Sequence, residues 1–164
     1  MSVSLRRVDV SEKREFWDML AAYLIEITAL EDPEGKLDPL DFPNFGKYWL
    51  EDHRSPWWIM DGDKAAGLAL VARFSWSKEP VDHGLIEYYI APSRRRGGIG
   101  MEAARMLFAG MPGQWELATG HRNPGAQAFW RRTIGEGGYA DWRTIERQDD
   151  LLHRFVVAPP RANP

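Results

Sequence analysis

The chain has 164 residues, 44% hydrophobic and 27% charged, with a formal net charge of −3. That is enough chain for one domain with a real core, and the wrong overall charge for a polyanion or nucleic-acid binder. Cysteine is absent, which excludes disulfides, thiolate metal sites and a Cys nucleophile and suits a reducing cytoplasm.

No apolar run reaches membrane-spanning length, and Met1-Ser-Val-Ser-Leu-Arg-Arg carries no apolar signal core, so a cytoplasmic protein with no membrane partner is expected. No cluster of His and carboxylates suggests a metal.

In chain order, Val3 to Val8 alternates as a first strand. Ser11 is a fitting N-cap, and Phe16, Leu20, Tyr23, Leu24 and Ile27 recur at helical spacing, predicting a helix from Glu12 to Ala29. Glu31 to Asp41 is acidic, broken by Pro33 and Pro39, and reads as a loop. A short second helix is expected over Phe45 to Asp52, ended by Arg54-Ser55-Pro56. Trp57 to Met60 and Ala65 to Trp76 form a hairpin about Asp61-Gly-Asp-Lys64, and a central strand follows over Gly84 to Ile90. The next helix starts at Ile99, with Ile99, Ala103, Met106, Leu107 and Gly110 on one stripe. Gln114 to Ala118 is a short strand. Asn123 and Pro124 open another helix, with Ala126, Phe129, Trp130, Thr133 and Ile134 inward and Gly135, Gly137 and Gly138 at its end. Tyr139 to Glu146 and Leu151 to Val157 close the chain as a hairpin, before a tail expected to be disordered. The order β-α-α-β-β-β-α-β-α-β-β predicts an α/β (α+β) fold, with a mixed, mostly antiparallel sheet of six to seven strands and about four helices. A single domain over 1–158 and a disordered 159–164 are expected.

The stretch Arg94-Arg95-Arg96-Gly97-Gly98-Ile99-Gly100 sits between the central strand and a helix start. Unpaired N–H groups in a helix's first turn, its dipole, glycines without Cβ and neighbouring arginines together suit a phosphate. A plain strand-to-helix turn with solvated arginines fits the hexamer alone equally well. Arg95 to Gly100 matches Arg/Gln-x-x-Gly-x-Gly/Ala, which resembles the acetyl-CoA pyrophosphate loop of GNAT N-acetyltransferases. Asn123, Ala126 and Trp130 fall where that family carries Asn-x-x-Ala-x-x-x-Tyr on the helix after the fifth strand. The resemblance covers almost the whole chain, and Trp115-Glu-Leu and Phe129-Trp130-Arg are similar to a bacterial subgroup with no agreed substrate.

The resemblance implies the GNAT fold and acetyl-CoA as co-substrate. It implies that the main chain of Tyr88, Tyr89, Ile90 and Ala91 pairs with the pantetheine arm, with the Ile90 N–H polarising the thioester carbonyl. Arg95, Arg96, Gly97, Gly98, Ile99 and Gly100 would hold the pyrophosphate. Asn123 and Ala126 would face the cofactor where two central strands diverge, with Phe129 or Trp130 packed on the pantetheine. The family's tyrosine, often general acid for the leaving thiolate, is Trp130 here, and an indole N–H donates a hydrogen bond but no proton. Tyr139 and Tyr88 are the substitute candidates.

An amine acceptor must be neutral to react. Deprotonating a lysine-like amine of pKa roughly 10.4 at pH 7 costs about 4–5 kcal/mol, so a base has value. Glu87, the one charge in the central apolar run, is the first candidate, since burial would raise its pKa. The competing reading is a structural ion pair with Arg73. Alternation puts Glu87 on one face with Leu85 and Tyr89. His83 is the second candidate base. Glu26, Glu31, Asp32, Glu34, Asp38 and Asp41 would form an acidic rim for a cationic amine, or a solvated loop. The acceptor, a small molecule or a peptide, is not named by the sequence, and the oligomeric state stays open, a homodimer included. The rival class is a non-catalytic acyl-CoA-binding sensor or partner-binding module, favoured by Trp130.

Overall fold

A computed structural model describes residues 2–161. Seven strands form one sheet: β1 (Val3–Arg7), β2 (Arg54–Asp61), β3 (Lys64–Ala72), β4 (His83–Ile90), β5 (Gly113–Gly120), β6 (Ala140–Glu146) and β7 (Asp150–Val157). Their spatial order is β1-β2-β3-β4-β5-β7-β6. Only β4 and β5 run parallel, because a parallel pair needs a crossover and the glycine-loop helix supplies it.

Helix α1 (Lys13–Glu31) covers one face of the sheet; α2 (Ile99–Gly110) and α3 (Pro124–Gly137) cover the other. On the α1 face, Phe16, Leu20 and Leu24 pack on Trp58, Leu68 and Tyr89. On the opposite face, Leu107, Phe108, Trp130 and Ile134 pack on Leu85, Trp115 and Leu117. Burial of each such side chain contributes about 1.5–3 kcal/mol.

Several local expectations change. The helix anticipated over 45–52 is a 3-10 turn, Phe45–Trp49, so the α-helices among the described residues number three. Its Asn44 makes no side-chain cap, and Tyr48 alone is buried, too little apolar face to hold a longer helix. Ser11 is not the first cap. Asp9 accepts from the Ser11 N–H at 2.9 Å and Glu12 reaches back to the Asp9 N–H at 3.0 Å, so a 3-10 turn, Val10–Glu12, precedes α1. Arg54, Ser55 and Pro56 begin β2 instead of ending a helix. On α2 the inward stripe is Ile99, Ala103, Ala104, Leu107 and Phe108, and Met106 is exposed. Of the tail expected to be disordered, residues 162–164 lie outside the described residues.

Candidate active site

The site begins where two strands part. β4 and β5 pair at His83↔Trp115, Gly84↔Glu116 and Leu85↔Leu117, and no further. On the other side of β4, Leu70 pairs with Glu87 and Val71 with Leu85, which leaves Ile86 as the extra residue of a bulge. A bulge bends and twists its strand, and β4 leaves β5 at this point. The bulge also changes which side chains share a face. Leu85 packs with Trp115 and Trp130 on the α2–α3 side, whereas Ile86 and Tyr89 pack on the α1 side, where Glu87 meets Tyr23. The alternation expected from the sequence, with Leu85 beside Glu87, therefore fails at Ile86.

Past the bulge, the Ala91 N–H bonds the Ala66 carbonyl at 2.8 Å. In an antiparallel ladder the adjacent pair, Ile90↔Gly67, is then the one whose N–H and C=O point away from β3. Both face the gap left by β5. The Ile90 carbonyl accepts from Arg95 Nε at 2.8 Å. Gly67 permits the approach, since a Cβ there would run into the Tyr89 carbonyl oxygen.

A cavity of about 930 Å³ opens from this gap on one side, lined by Tyr89, Ile90, Arg96, Gly98, Gly100 and Phe129 among others. Gly98 is the left-handed N-cap of α2 at φ 84°, and Cβ atoms at Gly97 or Gly98 would meet nothing within 4 Å. The first-turn N–H groups of α2, Ile99's among them, are thus open to an anion. Gly100 serves packing instead: a Cβ there would stand 3.3 Å from the Phe129 ring. The arginines divide their work. Arg94 pairs with Asp61 at 3.2 Å. Arg95 grips Glu26 of α1 at 2.8 and 2.9 Å and lies over the Tyr89 ring. Arg96, at φ 70°, forms no ion pair among the described residues and lines the cavity.

A second cavity, about 1160 Å³, opens on the α1 side. The two share Tyr23, Ile27, Tyr88, Asn123, Ala126 and Trp130 in their walls. Glu87 lies in the second. Burial pushes its carboxyl up to about 7, the nearby Glu31 adds to the rise, and the Tyr23 side chain pulls the other way. No cation accompanies it: Arg73 gives its backbone N–H to the His53 carbonyl and forms no ion pair with Glu87. Tyr48, pushed up to about 12 by burial, is in the same wall. Thr119 on β5 is 5% exposed, and its Oγ1 has no hydrogen-bond partner among the described residues. Asn123 caps α3 by accepting from the Ala126 N–H at 3.1 Å, which leaves its amide N–H groups for the cavities. Trp130 is buried at 6% exposure with its ring edge-on to Tyr88 at 5.0 Å. The Tyr88 hydroxyl donates to the Gly100 carbonyl at 2.5 Å.

Two candidates lie elsewhere. Tyr139 follows the left-handed Gly138 that ends α3, packs on Phe108 and Phe155, and lines neither cavity. His83 packs at a tilt on Trp115, ring centres 4.9 Å apart, and bonds the Pro112 carbonyl at 3.1 Å, also outside both. Of the anticipated acidic rim, Glu31, Asp32 and Glu34 line the second cavity, and Glu26 instead holds Arg95 at the first. Asp149, from the β6–β7 turn, and Asp150, at the start of β7, join the rim, and Tyr23, Tyr48 and Thr119 join the wall. Only Tyr23 left a trace in the sequence, on the inward stripe of α1, where it passes for core. Among the described residues no helix is long and apolar enough to cross a membrane, and no group of three or more His or carboxylate side chains could hold a metal ion.

Known proteins bear on this arrangement. Residues 18–135 match the Acetyltransferase (GNAT) family. No curated protein matches the sequence. The fold is similar to an acetyltransferase from Thermus thermophilus, at 17% identity and TM-score 0.68, covering 95% of this chain and 96% of that one. It is similar to spermidine N-acetyltransferase from Vibrio cholerae in complex with CoA and spermine, at 15% identity and TM-score 0.62, covering 94% and 95%. A third is yncA from Salmonella typhimurium with acetyl-CoA, at 12% identity and TM-score 0.61, covering 100% and 98%. With a family match over residues 18–135 and the β4–β5 divergence facing an open helix N-terminus, the chain belongs to the GNAT acetyltransferase family.

Proposed function

We propose that this protein is an N-acetyltransferase, a single domain over residues 1–158, that moves the acetyl group of acetyl-CoA directly to an amine while both are bound. The observation that carries the reading is the shared wall of two cavities at the divergence of β4 and β5, with a carboxyl group of pKa about 7 in one of them. The CoA and acetyl-CoA held by two of the similar structures support the choice of donor.

The residues present fit such a ligand. The Ile90 main chain faces the gap unpaired by β5, the Gly97–Gly98 turn is open, and Arg96 has no competing ion pair among the described residues. Arg95 departs from a simple phosphate role, since its guanidinium is already engaged by Glu26 and the Ile90 carbonyl. Acetyl-CoA supplies the acetyl group as a thioester. The Ile90 N–H is aimed to donate to the thioester carbonyl oxygen as that atom gains charge. Glu87 takes the proton that the attacking nitrogen must lose, and a carboxyl of pKa about 7 is matched to that task near neutral pH. The C–S bond breaks with the electron pair on sulfur. A thiol of pKa roughly 8.5 leaves tolerably as thiolate, so Trp130, with no proton to give, fits as a packing wall and hydrogen-bond donor. Tyr88 keeps its proton on the Gly100 carbonyl, and burial raises its pKa beyond use as an acid at neutral pH.

The test is thiol release from acetyl-CoA across amines that include polyamines, aminoglycosides, amino acids and peptides, with calorimetry of CoA binding alongside. Release with at least one amine is expected. CoA binding without release on any amine would establish the rival reading, an acyl-CoA-binding module, which Trp130 in place of the family tyrosine favours.

A further inference from the structure

We propose that the acceptor carries a second, cationic nitrogen beside the one that reacts, and that Glu31 is the residue that selects it. This rests on the acetyl-transfer reading and adds the chemical class of acceptor.

The carboxylates of the larger cavity are not alike. Glu34 pairs with Lys36 at 2.6 Å, and Arg147 clasps Asp150 through two bonds of 2.6 Å. Asp32 accepts the Leu37 N–H at 2.7 Å. Glu87 and Glu31 have no cation among the described residues, and neither does Asp149, exposed at the rim. Glu87 is half-buried, at the strand divergence. Glu31 ends α1, and its carboxylate lies directly on Gly120, which pairs with Asp150 in the β5–β7 ladder. Glu31 as a residue is exposed, but its carboxylate end is partly shielded against β5; that shielding first, and Asp150 second, raise its pKa. Glu31 and Glu87 also repel each other. A ligand cation at Glu31 would relieve both repulsions. Thr119, one residue before Gly120, lines the same cavity and is buried with an unpartnered Oγ1, a group costly to leave unpaired. Arg122, exposed at the rim, is the one cation of that wall without an ion pair among the described residues.

An amine with one nitrogen would leave Glu31 unanswered once its proton had passed to Glu87. A diamine answers both: one nitrogen stays charged on Glu31 while the other reacts at the divergence. Selectivity then lies in the second nitrogen.

The experiment compares three acceptors of matched chain length on the intact protein: an n-alkylamine, an α,ω-diamine and an ω-amino carboxylate, each by kcat/KM. The diamine should exceed the alkylamine by about two- to fivefold, the value of one solvent-exposed charge contact. In Glu31→Gln that ratio should fall toward one. Gly120→Ala keeps the charge but displaces the carboxylate, since its Cβ would collide with Glu31 Oε1, and should lower the ratio likewise. A ratio compares two acceptors on one protein sample, so partial misfolding cancels. A diamine no better than the alkylamine, a ratio unchanged in Glu31→Gln, or preference for the amino carboxylate through Arg122 would overturn the proposal while acetyl transfer stood. No thiol release with any of the three would overturn the proposal, and only silence across the wider amine panel would remove acetyl transfer with it.

Discussion

Two glutamates on adjacent strands, Glu87 on β4 and Glu116 on β5, meet opposite fates. Glu116 is fully buried, yet it accepts the Trp76 N–H at 2.8 Å and the Ser77 N–H at 3.1 Å, and is paired with Arg154. Burial alone would raise its pKa; the Ser77 bonds and Arg154 outweigh that and hold it below the usual carboxylate range. Glu87 has burial, a tyrosine and a neighbouring carboxylate, and rises to about 7. A buried carboxylate with donors and a cation is a rivet, and here it fixes the loop that carries Phe74 and Trp76 into the wall of the larger cavity. The same group without them is a proton acceptor at neutral pH.

The sharpest way to break the contrast is at the chemistry. Glu87→Gln should lower kcat/KM by about 10²–10⁴-fold and leave acetyl-CoA affinity in calorimetry as it was. The wild-type kcat/KM should fall below a pH near 7 as Glu87 protonates, and that limb should be missing in the variant. Full turnover in Glu87→Gln would return Glu87 to a structural role.

At the other glutamate the effect falls on stability. Arg154→Ala leaves the Glu116 charge buried without its cation and should cost about 3–5 kcal/mol in urea unfolding. Replacing both partners by apolar residues of similar volume should cost much less, because nothing charged is then stranded. Equal losses in the single and double variants would mean the pair acts through packing alone.

Much of this was legible beforehand because it is local. The strand, Gly97-Gly98 turn and α2 sit within one short stretch, and Glu87 stands out as the one charge in an apolar run. The bulge at Ile86 was hidden, because it exists only in the register between β3 and β4, and a one-residue shift there decides which face each side chain takes. Glu116 and Arg154 are 38 residues apart in sequence, so nothing local marked Glu116 as paired. Tyr139 was a candidate only as a tyrosine to stand in for Trp130, and no local signal showed that the turn at Gly138 lays its ring on Phe108 and Phe155. Asp150 and Glu31 lie at opposite ends of the chain and meet only through Gly120.

The comparison extends to pH-dependent stability through His153. This residue is fully buried, accepts from Trp142 Nε1 at 3.1 Å through Nδ1, and has no partner for Nε2 among the described residues. Burial, with Arg131 adding, pushes its pKa down from 6.5 to about 4. Between those values the unfolded chain binds a proton that the folded one refuses, so stability falls as pH drops, by at most about 3 kcal/mol. Glu87 works in the opposite sense. Its folded pKa of about 7 lies above the ordinary 4.5, so the folded state binds the extra proton and stability rises over nearly the same range. In the wild type the two should largely cancel, giving urea midpoints nearly level from pH 7 to 5. Glu87→Gln removes the compensation, and its midpoint should drop steeply over that interval. A level profile in the variant would mean that His153 accepts its proton while folded.

The smallest effect concerns the ion pair at the mouth of the smaller cavity. Arg95 and Glu26 are each partly exposed, at 40% and 38%, and such pairs contribute roughly 0–1 kcal/mol. The pair neutralises a guanidinium beside the open N-terminus of α2 while Arg95 Nε stays on the Ile90 carbonyl. Glu26→Gln should therefore tighten CoA binding, by about two- to fivefold, because the freed positive charge can meet a phosphate. Arg95→Ala should weaken it, since the charge and the tie to the Ile90 carbonyl go together. If calorimetry found both variants weakened to the same extent, Glu26 would be positioning Arg95 for the ligand rather than restraining it, and the clasp between α1 and the glycine turn would be part of the cofactor site itself.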